Sequence, residues 1–211
     1  MKRVLLAGAT GLVGRAVLDH YNADSLSITT VGRRATKRVS EEIITDFAAP
    51  LSLPPADIAI CALGTTIASA GSKDAFRAVD HHAVLHFAAA AQAAGVHHVI
   101  AVTAVGANPK AGVFYSRVKG ETERDLEALN FLRLDIAQPG LLLGQRSQSR
   151  PVESLLQTVD PVMRLFMKGP MDRYAGIAAS VVGKALLALC ANSDIGVYRH
   201  ENRALHRLSE V

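Results

Sequence analysis

The apolar positions of this chain fall into short solid runs, separated by stretches in which they recur every three or four residues. Val4, Leu5, Leu6 and Ala7 form the first run, with the uninterrupted character of a strand buried on both faces. Leu12, Val13, Ala16 and Val17 follow at the spacing of a helix's inner face. The alternation then repeats. Leu26 to Val31 reads as a second strand ending at Gly32, Glu42 to Phe47 as a short third, and Asp57 to Leu63 as a fourth stopped by Gly64. Helical spacing runs through Phe76, Val79, Ala83, Phe87, Ala90 and Ala94 and stops at Gly95, the residue type favoured just past a helix end. Val99 to Thr103 is the fifth strand and Phe131 to Ile136 the sixth, with a charged amphipathic helix from Phe114 to Leu129 between them. Beyond Gly144 the pattern loosens. Gln145 to Arg150 reads as a polar loop; helices through Leu155, Val162 and Phe166 and over Ile177 to Ala191 follow, with a closing strand near Val197.

Strands that alternate with helices predict an α/β fold: a doubly wound, Rossmann-type parallel β-sheet with helices on both faces, a three-layer sandwich. No repeat or linker interrupts the pattern. Residues 1–211 therefore read as one Rossmann-type domain, with 145–211 contributing a small, less regular region beside the strands' carboxyl ends, on the substrate side. In such sheets ligands lie at the carboxyl ends of the strands, so the residues just after each strand are the ones to weigh.

The strongest of these segments is the first. Gly8-Ala9-Thr10-Gly11-Leu12-Val13-Gly14 joins strand to helix, the arrangement that aims backbone N–H groups and a positive helix end at a phosphate. One glycine permits the turn, the next lets a pyrophosphate approach the backbone, and the third lets helix pack on strand. Gly8, Thr10, Gly11, Leu12, Val13 and Gly14 are thus candidate dinucleotide contacts. The second strand ends at Val31-Gly32-Arg33-Arg34, with no carboxylate to hold a ribose 2′-hydroxyl. Two guanidinium groups there suit a 2′-phosphate through charge-assisted bonds, and NADP(H) is the expected cofactor in preference to NAD(H).

Composition narrows the class. Of 211 residues 49% are apolar and 20% charged, as in a globular protein, and no apolar stretch is long enough to span a membrane. The net charge of +4 comes with 5% aromatic residues, no tryptophan and no basic stripe, which argues against a nucleic-acid surface. Cys61 and Cys190 both lie in apolar segments and read as reduced, buried thiols, from which a cytoplasmic location is expected. The chemistry is carried by Tyr115 and Lys119, four apart and therefore stacked on one helical face. An ammonium beside a phenol favours the phenolate, so Tyr115 can move a proton to or from a carbonyl oxygen. Thr103, at the end of the fifth strand, offers a hydroxyl to position that oxygen, provided its side chain does not turn into the sheet.

The glycine loop, Arg33-Arg34, Asp46-Phe47, Cys61 to Thr66, Val102 to Ala107, Tyr115-Ser116-Arg117-Val118-Lys119 and Gln138-Pro139-Gly140-Leu141-Leu142 occur in the order seen in the short-chain dehydrogenase/reductase superfamily. The chain resembles its short atypical branch, which includes NAD(P)H-binding and Tat-interacting-protein-like oxidoreductases. That resemblance implies that Asp46 and Phe47 flank the adenine and that Ala62, Leu63, Gly64 and Thr65 line the ribose and pyrophosphate. It also implies that Lys119 bonds the nicotinamide ribose and that Pro139 borders the nicotinamide. Two departures stand out. Related chains carry two serines where this one has Thr103-Ala104, the second commonly supplying the catalytic hydroxyl, and Gln138 replaces the usual arginine before Pro139-Gly140.

The expected function is an NADP(H)-dependent oxidoreductase that interconverts a small carbonyl compound and its alcohol. The alternatives are a catalytically weak NADP(H)-binding regulator or redox sensor and, less favoured, an isomerase or epimerase that returns the hydride. A small-molecule substrate is the expected partner, a second copy of the chain or a regulatory protein being open. His81, His82 and His86 lie outside the apolar stripe of their helix and read as solvent-facing, with no metal site; His97-His98 reads as an exposed loop end.

Overall fold

The computed structural model describes residues 1–144 and 173–211. Seven parallel strands build the central sheet: β1 (Lys2–Ala7), β2 (Leu26–Gly32), β3 (Glu41–Ile44), β4 (Ile58–Cys61), β5 (His98–Val102), β6 (Arg133–Gln138) and β9 (Gly196–Glu201). Their spatial order is β3-β2-β1-β4-β5-β6-β9. The apolar runs predict these strands because β1 and β4 are closed off on both faces: Val4 to Ala7 and all of Ile58–Cys61 are buried. The chain reverses direction across the sheet between β1 and β4, and a crevice opens there at the strands' carboxyl ends.

Two apolar layers sandwich the sheet. On one face α1 (Leu12–His20), α6 (Ala179–Leu189) and α7 (Asn202–Leu208) pack Val13, Val17, Val182, Leu186 and Leu205 onto Val4, Leu6, Ile28, Ile60 and Ile100. On the other, α4 (Val84–Ala93) and α5 (Phe114–Glu127) pack Phe87, Ala91 and Leu126 onto Leu5, Ala59, Val99 and Leu134. Two short helices, α2 (Ile67–Ala70) and α3 (Lys73–Arg77), lead into α4. The helix expected from Phe76 to Ala94 is not one regular helix: a six-residue π segment, Ala78–Ala83, separates α3 from α4. A second, two-stranded sheet pairs β7 (Leu142–Leu143) with β8 (Ile177–Ala178), and β8 takes the first residues of the helix expected over Ile177 to Ala191. The expected Gln145 to Arg150 loop and the helix through Leu155, Val162 and Phe166 lie outside the described residues.

His98 corrects the loop-end expectation. It is 7% exposed, and its Nε2 lies 2.7 Å from Asp135 Oδ2. Arg133 Nε donates to the same oxygen at 2.6 Å, while His200 Nε2 lies 2.7 Å from Oδ1. A buried carboxylate thus ties together β5, β6 and β9, which explains why polar residues sit on an otherwise apolar face.

Candidate active site

The glycine loop shapes the floor of the crevice. Gly8 has φ of +82°, and a Cβ placed on it would stand 2.4 Å from the Ala62 carbonyl oxygen, so only glycine brings β1 this close to the turn after β4. A Cβ on Gly14 would stand 2.2 Å from the Gly8 carbonyl oxygen; Gly14 lets α1 sit against the loop and does not itself line the cleft. Gly11 caps α1 with extended backbone and offers no side chain to the helix's first amides, and the first turn of α1 holds no acid. An anionic diphosphate matches that donor set by charge and by space.

Two adjoining cavities meet on this floor. One, of about 550 Å³, is lined by Thr10, Gly11, Leu12, Val13, Arg34, Ala62 to Thr65, Thr103, Tyr115, Lys119 and Pro139. The other, of about 680 Å³, adds Gly8, Arg33, Asp46 and Phe47. Apart from Gly14, the structure therefore gathers the residues singled out in the sequence into one continuous cleft. At the second cavity's rim Arg33 and Arg34 are exposed, and neither forms an ion pair with another described residue. The neighbouring Arg38 differs, being paired with Asp19 at 2.8 Å. Asp46 accepts the Ala48 amide at 2.9 Å, which holds its carboxyl below the usual range and fixes the turn that carries Phe47 at φ +63°. His86 Nδ1 lies 2.7 Å from the Phe47 carbonyl oxygen, and His81 Nε2 lies 2.8 Å from Asp125 Oδ2. Of the three histidines expected to face solvent, only His82 is exposed; the other two hold the elements around the cleft together.

At the first cavity's far end Tyr115 is half-buried, its ring 5.4 Å from that of Phe76. Lys119 is buried and lies 2.8 Å from Asp80 Oδ1. Burial alone would pull its ammonium down, but the opposing charge of Asp80 and the adjacent Tyr115 outweigh that, and its pKa rises above the ordinary lysine value. Asp80 was missed in the sequence; a lone carboxylate amid Phe76, Val79 and Ala83 was the available signal. Burial pushes the Cys61 thiol up to about 12, which leaves it an inert packing group.

Thr103 donates its hydroxyl proton to Glu123 Oε1 at 2.6 Å. Among the described residues the other groups on that carboxylate are the Gln138 Nε2 amino group, at 2.8 and 3.0 Å, and the Arg199 guanidinium at 3.4 Å, both donors. Glu123 is therefore the acceptor, and the Thr103 proton serves the α5 side. Ala104, 9% exposed, occupies the neighbouring stretch of cleft wall.

No family model matches the chain. Individual relatives do. It is 35% identical over 208 residues to the protein named Fmp52, mitochondrial, of Aspergillus fumigatus, covering 90% of this chain and 89% of that one. Rat protein HTATIP2 is 36% identical over 194 residues, covering 86% and 77%. Among solved structures, MoeE5 in complex with UDP-glucose and NAD superposes with a TM-score of 0.70 at 19% identity, covering 94% of this chain and 75% of that one. The human epimerase family protein SDR39U1 with NADPH gives 0.65 at 21%, covering 93% and 73%. Those two likenesses concern the fold. This chain belongs to the NAD(P)-binding short-chain dehydrogenase/reductase superfamily, in the atypical branch that contains HTATIP2 and Fmp52.

One expectation is overturned by these relatives. The cytoplasmic location inferred from two reduced thiols conflicts with the word mitochondrial in the names of several relatives. Cys61 and Cys190 are free because both are buried in the core, and a thiol closed off by packing says nothing of its compartment.

Proposed function

We propose that the protein is an NADP(H)-dependent oxidoreductase acting on a small carbonyl compound or the corresponding alcohol. The observation that carries this reading is the placing of Tyr115 and Lys119 at one end of a continuous cleft whose other end is rimmed by Arg33 and Arg34. The α1 amides and the Gly8 to Gly11 turn would hold the diphosphate, Arg33 and Arg34 a 2′-phosphate, and Asp46 and Phe47 the adenine end. Ala62 to Thr65 and Lys119 would border the ribose, and Pro139 the nicotinamide. Bound there, a nicotinamide ring supplies or accepts the hydride at its C4.

The chain's own groups handle the proton. Tyr115 is the donor toward a carbonyl oxygen and the acceptor from an alcohol. The Lys119 ammonium, four residues along the same face, sets a positive charge beside Tyr115 and offers its remaining N–H bonds to ribose hydroxyls. Thr103 serves as a buttress from the α5 side through Glu123. The wall over the substrate would come from the stretch 139–143 and residues 173–178, which β7 and β8 bring together. The adenosine end is tested by calorimetry: NADPH should bind much more tightly than NADH, and the double substitution R33A/R34A should erase about tenfold or more of that preference. Equal affinities in the unmodified protein would remove the 2′-phosphate reading.

A further inference from the structure

The chemistry above makes no use of Asp80, although its side chain is wholly enclosed beside the groups that carry that chemistry. Three bonds define its surroundings. Oδ2 accepts the backbone N–H of Thr65 at 2.8 Å. Oδ1 forms an ion pair with Lys119 Nζ at 2.8 Å and accepts no hydrogen bond of ordinary geometry from any described residue. The Asp80 carbonyl accepts the Thr122 hydroxyl at 2.9 Å, a hydroxyl that also bonds the Val118 carbonyl. The residue lies within the π segment Ala78–Ala83, and such a wide turn adds a residue to the helix and re-aims the side chains around it. Gly64 lies against the pair, and a Cβ there would be in ordinary contact, 3.4 Å from Oδ1 and 3.7 Å from Nζ.

We propose that Asp80 is a positioning residue, clamping the Lys119 ammonium of α5 to the Thr65 amide so that the loop after β4 and the helix bearing Tyr115 present one preset wall to the cofactor. This rests on the reading of the cleft as a nicotinamide site. Physically, an ammonium buried without a counter-charge tends to give up its proton, and a long side chain without a tether samples many rotamers. Asp80 removes both freedoms. The direction in which Lys119 is shifted agrees with this geometry.

The test is D80N, which keeps the shape of the side chain and removes its charge. Titration of the Lys119 13Cε resonance, assigned by its absence in K119M, should show the ammonium losing its proton at least about one pH unit earlier in D80N than in the unmodified protein. An unchanged titration would overturn the proposal. Calorimetry with NADPH supplies a second readout: D80N should weaken binding by about tenfold, whereas D80N added to K119M should change it by less than about twofold. An equal loss in both backgrounds would show that Asp80 does not act through Lys119, and would also overturn it. If D80N alone does not fold, the comparison of K119M with D80N/K119M, in which the buried pair is neutral, still decides the matter. An unmodified protein that binds no NADPH would refute the nicotinamide reading, while the resonance titration would still judge the role of Asp80.

Discussion

Replacing Tyr115 by Phe removes one oxygen from the cleft and leaves the ring packed on Phe76. Under the proposed chemistry, Y115F should abolish turnover of a carbonyl substrate, followed by absorbance of the reduced nicotinamide, while NADPH affinity stays within about twofold. Undiminished turnover would remove Tyr115 from the mechanism. Ala104 gives the converse experiment. Thr103 spends its proton on Glu123, so A104S would put a free hydroxyl donor on the cleft wall, and turnover should rise by about tenfold or more. A fall would mean that the smaller side chain is needed for substrate fit. These single-residue roles were only partly legible beforehand. Tyr115 and Lys119 declare themselves because both lie on one helix at a telling interval. Asp80 does not, since its partner lies thirty-nine positions further along and nothing local marks the pairing.

At the level of strands and helices, the Asp135 cluster holds the last strand of the sheet. Burial alone would raise the Asp135 carboxyl, but bonds from His200, His98 and Arg133, with the charge of Arg133, outweigh that and hold it far below the usual carboxylate range. The stability this contributes is complete above the unfolded carboxyl's pKa of about 3.9, and it drains away as pH falls from there through the depressed folded value. D135N should therefore cost about 3 kcal/mol near neutral pH in urea unfolding, because the buried Arg133 guanidinium loses its counter-charge, and the cost should shrink in acid. A cost that does not vary with pH would contradict the assignment. Strands β1, β4 and β5 were legible because burial on both faces demands solid apolar runs. The strand expected over Glu42 to Phe47 stops at Ile44, since Asp46 and Phe47 turn away under the pull of the Ala48 amide and His86. β7 and β8, two residues each, are too short to show any period.

For the molecule as a whole, the cleft is assembled from segments scattered between Gly8 and Leu142, so its occupation should report on global folding. NADPH at a hundred times its Kd should stabilise the native state by about 2.7 kcal/mol, a rise in Tm of about 5–10 °C for a chain of this size. NADH at the same concentration should give a smaller rise, and scanning calorimetry with both would show it. The three-layer plan was legible from alternation alone, because each apolar run must be covered on both sides. The tie between cleft and tail was not. Asn202, at the start of α7, accepts the Gly140 amide and donates to the Ala175 carbonyl, both at 2.8 Å, and so staples the cleft wall to the carboxyl-terminal helix. A protein truncated after Glu201 would thus lose more than a surface turn: Leu205 would leave the core and the stretch around Pro139 would come unfastened. A version trimmed there for crystallisation would surrender part of the cleft's shape together with α7.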